Sequence, residues 1–323
     1  MKISYFKKLC LAENLYLAYY KASRHKRRSN SYLLFRKNAD ENILQLQKCL
    51  INGTWEHGLY RQFKIKDPKE RIITAAPFED RILHHAIINV TEELFEKKYI
   101  YHTYACRKEK GSHSALAYAS TFCRKNMYFL KLDIKKYFDS IDHMILKEQL
   151  KRLINEKAFT ELFSKIIDSY TSEPAKEKNL KKGLPIGNLT SQYFANLYLS
   201  GLDHYILEKL RPHGYERYMD DMLIFSPSIK ELKQIYNRIQ IFTKEKLDLQ
   251  LKIPIFGRTQ DGIPFLGKLV KRKSIRPLAE KMRLKKKKIK KIDYLVRHNK
   301  ISQEKGAERI NAIIADSKTD IKK

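Results

Sequence analysis

Asp220 and Asp221 stand side by side in the stretch Arg217-Tyr218-Met219-Asp220-Asp221-Met222-Leu223-Ile224-Phe225. Residues 215–219 and 222–225 are β-favouring, so the pattern predicts a hairpin that carries both acids at its turn. Carboxylates pressed together repel one another, and a hard divalent cation such as Mg²⁺, which takes oxygen ligands, relieves that repulsion. An exposed Asp-Asp turn on a surface hairpin is the plainer alternative, and the dipeptide by itself does not decide between them. A third acid, Asp133, ends the strand-like run 127–133, the place from which a sheet delivers a metal ligand. Asp139 and Asp142 lie just beyond it and fit helix caps.

Composition narrows the partners. Lys and Arg number 66 against 36 Asp and Glu, a formal charge of +30. A surplus of this size favours a polyanion, nucleic acid ahead of a membrane surface. The 20 tyrosines and 15 phenylalanines can serve both core packing and base stacking. Cys10, Cys49, Cys106 and Cys123 form no Cys-x-x-Cys pair, which argues against structural zinc and a disulfide framework and for a reducing, cytoplasmic setting. Residues 1–11 lack the pattern of a signal peptide, and no run is long enough to span a bilayer, so no membrane partner is expected.

The elements that must position these acids follow in order. Residues 1–62 read as helices around the basic cluster Lys21-Ala22-Ser23-Arg24-His25-Lys26-Arg27-Arg28, with one helix over 39–50 closed by Asn52-Gly53. That cluster fits either a solvated face or a phosphate-contacting patch. Residues 62–74 read as two strands about the turn Lys66-Asp67-Pro68-Lys69-Glu70-Arg71. Such a basic hairpin can close over a triphosphate. A helix follows from Pro77, with Leu83, Ile87, Val90 and Leu94 at helical spacing. His84 and His85 point in different directions on it and make a poor ligand pair. Residues 101–114 read as loop and 115–124 as helix. After Asp133 comes a tight turn and a helix to about Leu153, then a helix over 159–170 and a lysine-rich loop over 171–182. Gly183-Leu184-Pro185-Ile186-Gly187-Asn188 reads as a rigid turn leading into a helix over 189–210, and glycine at 187 lets backbone come close to a substrate. A helix over 229–246, a strand-like run over 247–256, the compact turn Ile263-Pro264-Phe265-Leu266-Gly267 and a basic helical region over 276–323 complete the chain.

The order strand-Asp, Pro-x-Gly turn with helix, Tyr-Met-Asp-Asp hairpin and Phe-Leu-Gly turn resembles the reverse transcriptases, over about residues 63–267. The resemblance implies an α+β right-hand polymerase with fingers, a palm built on an antiparallel sheet, and a helical thumb. It places a basic helical extension at 1–62, fingers at 63–126, palm at 127–145, a fingers/palm connection at 146–180, palm again at 181–268 and a basic thumb at 269–323. It implies two-metal nucleotidyl transfer with Asp133, Asp220 and Asp221 catalytic. These three and the Ile134 carbonyl would hold two Mg²⁺ ions, for which Mn²⁺ can substitute. Lys64, Lys66 and Arg71 correspond to residues that hold the incoming phosphates. Phe138 falls at the steric gate that excludes a ribose 2′-hydroxyl, although an ordinary core aromatic fits the same position. Ile186, Gly187 and Gln192 belong to the nucleotide-binding set, Lys252 is a candidate general acid for leaving pyrophosphate, and Phe265, Leu266 and Gly267 resemble the primer grip.

Two departures refine the resemblance. Most relatives carry Gln between the proline and glycine and Ser-Pro at the start of the following helix; here Ile186 and Ser191-Gln192 stand instead. The form Ile-Gly-Asn-Leu-Thr-Ser-Gln, with Ala75-Ala76-Pro77-Phe78 and the basic N-terminal segment, resembles the reverse transcriptases of diversity-generating retroelements. That group makes error-prone, adenine-mutagenised cDNA from a template-repeat RNA for retrohoming into a target gene. It works on template RNA, a DNA or cDNA primer and dNTPs, with a small basic oligomeric accessory protein. Isoleucine at 186 can only pack where an amide would hydrogen-bond, so relaxed base discrimination is expected. The stretch after Gly267 is short and holds no cysteine, so neither an RNase H domain nor a zinc-bearing endonuclease is expected in it. The competing expectations are a group II intron-type or defence-associated reverse transcriptase, and a non-catalytic RNA-binding scaffold.

Overall fold

A computed structural model describes residues 4–66 and 70–318; Asp67, Pro68 and Lys69 of the hairpin tip and the side chains of Lys66 and Arg71 lie outside the described residues. The chain forms two compact units, each assembled from three separate segments.

The first unit comprises, of the described chain, residues 4–66, 70–101, 134–210 and 238–252. Its N-terminal part is helical, with Tyr5–Leu9, Ala12–Ser23, Asn30–Lys37 and Ala39–Ile51. The Glu156 carboxylate accepts the backbone N–H groups of Tyr5 and Phe6 at 2.8 and 2.9 Å, satisfying donors that a helix start leaves open. Arg24 to Arg28 are exposed. The expected hairpin is present as β1 (Arg61–Lys66) and β2 (Glu70–Ala75), antiparallel with Ile65 opposite Arg71. Helix Phe78–Lys98 runs through the middle of the unit and buries Phe78, Ile82, Leu83, Ala86, Ile87 and Phe95. His84 is among its buried residues, and burial drives its pKa down to about 3, so it stays neutral.

Several helical expectations are corrected here. The tight turn foreseen after Asp133 contains a short helix, Tyr137–Ser140, and the helix foreseen to about Leu153 is His143–Leu153. Asp142 caps it as expected, since its carboxylate accepts the N–H groups of Met144 and Ile145. The loop over 171–182 contains a short helix, Glu173–Lys176, with proline in its first turn. The helix expected over 189–210 divides into Leu189–Tyr198, Ser200–Tyr205 and a π-helical turn Ile206–Leu210, and the Ser200 hydroxyl bonds back to the Leu197 carbonyl at the first break. Helix Ile229–Leu247 matches its expected span.

The second unit comprises residues 102–133, 211–237 and 253–318 of the described chain. Its centre is a four-stranded antiparallel sheet of β3 (Tyr128–Leu132), β4 (Gly214–Tyr218), β5 (Asp221–Ser226) and β6 (Ile255–Arg258), in the order β4-β5-β3-β6. The strand foreseen over 247–256 shrinks to β6 because Asp248 takes a left-handed φ of 48° and Pro254 has no N–H to pair. Residues 262–277 hold a second sheet that the sequence did not suggest: β7 (Ile263–Phe265), β8 (Lys268–Lys271) and β9 (Ser274–Pro277). The compact turn expected at 263–267 is thus a strand followed by a tight Leu266-Gly267 turn, and the basic region from 276 begins as strand. Helices Ala279–Arg297 and Gln303–Lys318 follow, with Lys286, Lys287, Lys288, Lys290 and Lys291 exposed on the first.

Alternation along β3 and β5 sends Phe129, Leu223 and Phe225 to one side, where they pack with Ala115, Leu116, Ala119 and Cys123 of helix Ser112–Lys125 and with Ile263, Phe265 and Val270. The outer edge of β4 is covered, because Thr103 bridges Arg217 and Tyr104 donates its N–H to the Arg217 carbonyl at 3.0 Å. No helix among the described residues is long and apolar enough to cross a membrane.

Gly214 opens β4 opposite Phe225, and a Cβ there would lie 2.0–2.8 Å from ring atoms of Phe122. Gly214→Ala is therefore expected to lower stability by about 1–3 kcal/mol, the usual cost of overpacking. Urea unfolding checks this, and a midpoint equal to that of the parent chain would contradict the packing described.

Candidate active site

Asp133 immediately follows β3, and Met219-Asp220 forms the turn between β4 and β5. Register decides where these acids come out. Leu132 faces Met222 across β3 and β5, and Tyr218 faces Asp221 across β4 and β5, so all the candidate acids emerge at one end of the sheet. Met219 holds a left-handed φ of 56°, uncommon for a side chain of its size. The fully buried Arg217 donates to the Met219 carbonyl at 2.8 Å and fixes that turn.

The carboxyl groups of Asp133 and Asp220 are in hydrogen-bond contact. Burial first, then the neighbouring Asp133 and Asp221 charges, raise Asp220 to about 6. A proton shared between crowded carboxyls is the response to the repulsion that a cation would otherwise relieve. Asp221 is engaged differently: its Oδ1 lies 3.1 Å from the Lys131 ammonium. Among the described residues no three Asp, Glu, His or Cys side chains already surround one point as a metal cluster. The donor set is nonetheless all carboxylate oxygen, which suits a hard divalent ion.

Three participants at this end of the sheet were not picked out as functional from the sequence. Lys131 interrupts an apolar strand two residues before Asp133, so it shares a face with that position. Arg217 and Glu216 are buried charges in the middle of β4. Burial and the nearby Asp221 charge push the Glu216 carboxyl well above the usual carboxylate range, and neither of its oxygens has a hydrogen-bond partner among the described residues. Charged residues inside a β-favouring run were the available signal for all three.

Phe265 is fully buried in the second unit, and Leu266 and Gly267 turn the chain with φ of 47° and 76°.

The first unit gathers another group of candidates. Thr74, near the end of β2, donates its N–H to the Ile186 carbonyl at 2.9 Å, and Leu184 donates to the Phe138 carbonyl at 2.8 Å. Gly187 is held at φ 137°, and a Cβ on it would meet the Thr74 carbonyl oxygen at 2.8 Å, so only glycine fits. The hairpin base, the 183–188 turn and Phe138 are thus joined by backbone bonds. Ile186, Phe138 and Gln192 are partly exposed. Asn188 donates to the Tyr60 hydroxyl at 3.0 Å and secures the far end of the turn. Lys64 is exposed and pairs with Glu70 at 3.0 Å, so this lysine is partly spoken for. Ile134 is buried and forms an antiparallel bridge to Leu251, next to the exposed Lys252.

Residues 64–267 match the family model described as reverse transcriptase (RNA-dependent DNA polymerase), more than half of the chain. The chain belongs to this family. Among curated proteins it is 24% identical over 208 residues to the putative COX1/OXI3 intron 1 protein of Saccharomyces cerevisiae, a match that covers 62% of this chain and 24% of the yeast protein. It is 23% identical over 218 residues to the group II intron-encoded protein LtrA of Lactococcus lactis subsp. cremoris, covering 66% of this chain and 36% of LtrA. The chain therefore spans only about a quarter to a third of the family members it matches here. Among solved structures, telomerase from Candida albicans in complex with a TWJ fragment of telomeric RNA shares the fold, with TM-score 0.52, 13% identity, and coverage of 69% of this chain and 47% of the telomerase chain.

Because the Asp220 pKa is raised on folding, the unfolded chain binds fewer protons than the folded one between the ordinary aspartate value and about 6. Without divalent ions, stability contributed by this group is present at low pH and lost as pH rises through that window. Asp220→Asn is expected to melt higher than the parent at pH 7.5 and nearly equally at pH 4. Melting curves in chelator at both pH values check this, and a lower melting point for the variant at pH 7.5 would contradict the crowding.

Proposed function

We propose that the chain is an RNA-directed DNA polymerase that extends a DNA or cDNA primer on an RNA template, using dNTPs. The contact of Asp133 with Asp220 at the end of the antiparallel sheet, with Asp221 adjoining, supports this reading most directly. Asp133, Asp220 and Asp221 would hold two divalent ions, Mg²⁺ or Mn²⁺. Ions held there would supply activation of a primer 3′-hydroxyl and neutralisation of the triphosphate for an in-line displacement.

The chain's own residues supply position. The sheet register and Arg217 hold the acids at a fixed spacing. Phe138, tied by its carbonyl to Leu184, is the proposed barrier to a ribose 2′-hydroxyl. Gly187 allows backbone to approach a nucleotide, Ile186 packs against it, and Gln192 lies within the first turn and a half of the helix that follows. Lys64, with Lys66 and Arg71, would draw the phosphates, Lys252 would protonate the leaving pyrophosphate, and residues 265–267 would grip the primer. In these terms the hairpin of β1 and β2 belongs to fingers, the four-stranded sheet to palm and the basic C-terminal helices to thumb. The free cysteines suit the cytoplasm. Primer extension on RNA with dNTPs and Mg²⁺ tests the reading. Asp220→Ala and Asp221→Ala are each expected to reduce it about a thousandfold, as several kcal/mol of charge stabilisation disappear. RNA binding without extension by the parent chain would favour the non-catalytic scaffold.

Within this activity, Ile186 and Ser191-Gln192 support the polymerase of a diversity-generating retroelement, working with low fidelity and a small basic accessory protein. A group II intron-type enzyme is the second reading, favoured by the intron-encoded relatives. Ile186→Gln is expected to lower misincorporation opposite template adenines; equal error rates on one RNA would remove the explanation based on the lost amide. A variable repeat, an adenine-rich template copy and a small accessory gene in the neighbouring DNA would support the retroelement, and an intron around the coding sequence would support the alternative.

A further inference from the structure

Lys131 sits on β3 with Leu223 on one flanking strand and Ile255 on the other. Its ammonium makes two contacts, 3.1 Å to Asp221 Oδ1 and 3.0 Å to the backbone carbonyl of Pro264 on β7. The Lys131 and Asp221 side chains are only 18% and 24% exposed, so the pair is sheltered from the screening that weakens surface ion pairs. A lysine is usually a mobile, strongly hydrated charge; this one is held at a defined spot by a carboxylate and a carbonyl. Asp133 and Asp220 lean on each other, and Asp221, whose charge also acts on Asp220, has Lys131 as an ion-pair partner.

We propose that Lys131 is the resident counter-ion of Asp221, a positioning residue that supports this carboxylate on the sheet and competes with a divalent cation for it. Loading of the acids then exchanges an ammonium for a metal at Asp221. The Pro264 carbonyl keeps the released ammonium nearby, and because Pro264 directly precedes Phe265, Leu266 and Gly267, the state of Asp221 is linked to the strand that leads into that turn. The inference rests on the cation-binding reading of the three acids.

The opposition of the two effects makes the test specific. Removing the charge takes away a competitor, so cation binding should tighten; it also removes the support of Asp221, so extension should slow. Full-length parent chain, Lys131→Met, Lys131→Gln and Lys131→Arg are each bound to the same annealed RNA template and DNA primer. Mn²⁺ binding is read from the electron paramagnetic resonance signal of free Mn²⁺, primer extension is measured in Mg²⁺, and melting is recorded for each. Lys131→Met and Lys131→Gln are expected to bind Mn²⁺ at least about fivefold tighter, the factor that a unit charge ~4 Å away carries even in bulk water. Both are expected to extend about tenfold more slowly, because a displaced catalytic group costs rate. Lys131→Arg keeps the charge and should return both quantities most of the way to the parent values. Neutral variants that bind Mn²⁺ within twofold of the parent overturn the counter-ion role. So does weaker Mn²⁺ binding accompanied by slower extension and a lower melting point, the pattern of a lysine that only holds the fold together. Equal Mn²⁺ binding by the parent and Asp220→Asn would instead sink the cation-binding reading itself, whatever the Lys131 variants do.

Discussion

Crowding of negative charge at one end of a β-sheet is the constraint on which the rest of this protein depends. Two carboxyl groups touch, a third adjoins them, and a fourth acid, Glu216, is buried on the neighbouring strand. Left alone, such a cluster would open. It is kept closed by backbone pairing, since β3 and β4 both hydrogen-bond to β5 and a slip of one residue would send each acid to the opposite face. The buried Arg217 and the sheltered Lys131 place positive charge where the sheet needs it, one at the turn backbone and the other at a carboxylate.

This arrangement opposes stability in the absence of a cation, and the surrounding packing offsets it. Phe129, Leu223, Phe225 and the helix above them form an apolar layer directly behind the acids. Burial there contributes roughly 1.5–3 kcal/mol for each large side chain, enough to hold a few strained charges in place. The 183–188 turn of the other unit follows a similar logic with backbone in place of charge. Its glycine is confined by a carbonyl only 2.8 Å from where a side chain would begin, and hydrogen bonds from Thr74 and to Phe138 leave the turn little room to shift.

Much of this was legible in the sequence, for physical reasons that differ by element. The Tyr-Met-Asp-Asp hairpin was readable because β-favouring runs on both sides leave a turn between them, which the structure places at Met219-Asp220 with Asp221 opening β5, and the strand before Asp133 because it is a compact, largely apolar run. The hairpin over 61–75 and the helix Phe78–Lys98 announced themselves through Asp-Pro and through helical spacing after a proline. The sheet over 262–277 did not, because its strands are three or four residues long and carry proline, lysine and arginine, so no period develops. The cap at Asp142 was legible from an acid placed just before a helical pattern, but the helix break at Leu199 was hidden because hydroxyl back-bonding acts through a single side chain inside an otherwise helical pattern. The contacts of Lys131 depend on which residues come to lie across a sheet, and a linear sequence does not display its own cross-strand neighbours.

The central claim is that Asp133 and Asp220, brought together by strand register, form a divalent-cation site. Anomalous X-ray scattering from crystals of the chain soaked in Mn²⁺ tests it most directly. The account predicts an anomalous peak within coordinating distance of both carboxylates, absent from crystals of Asp220→Asn. Ordered carboxylates still in mutual contact at saturating Mn²⁺, with no peak between them, would contradict it.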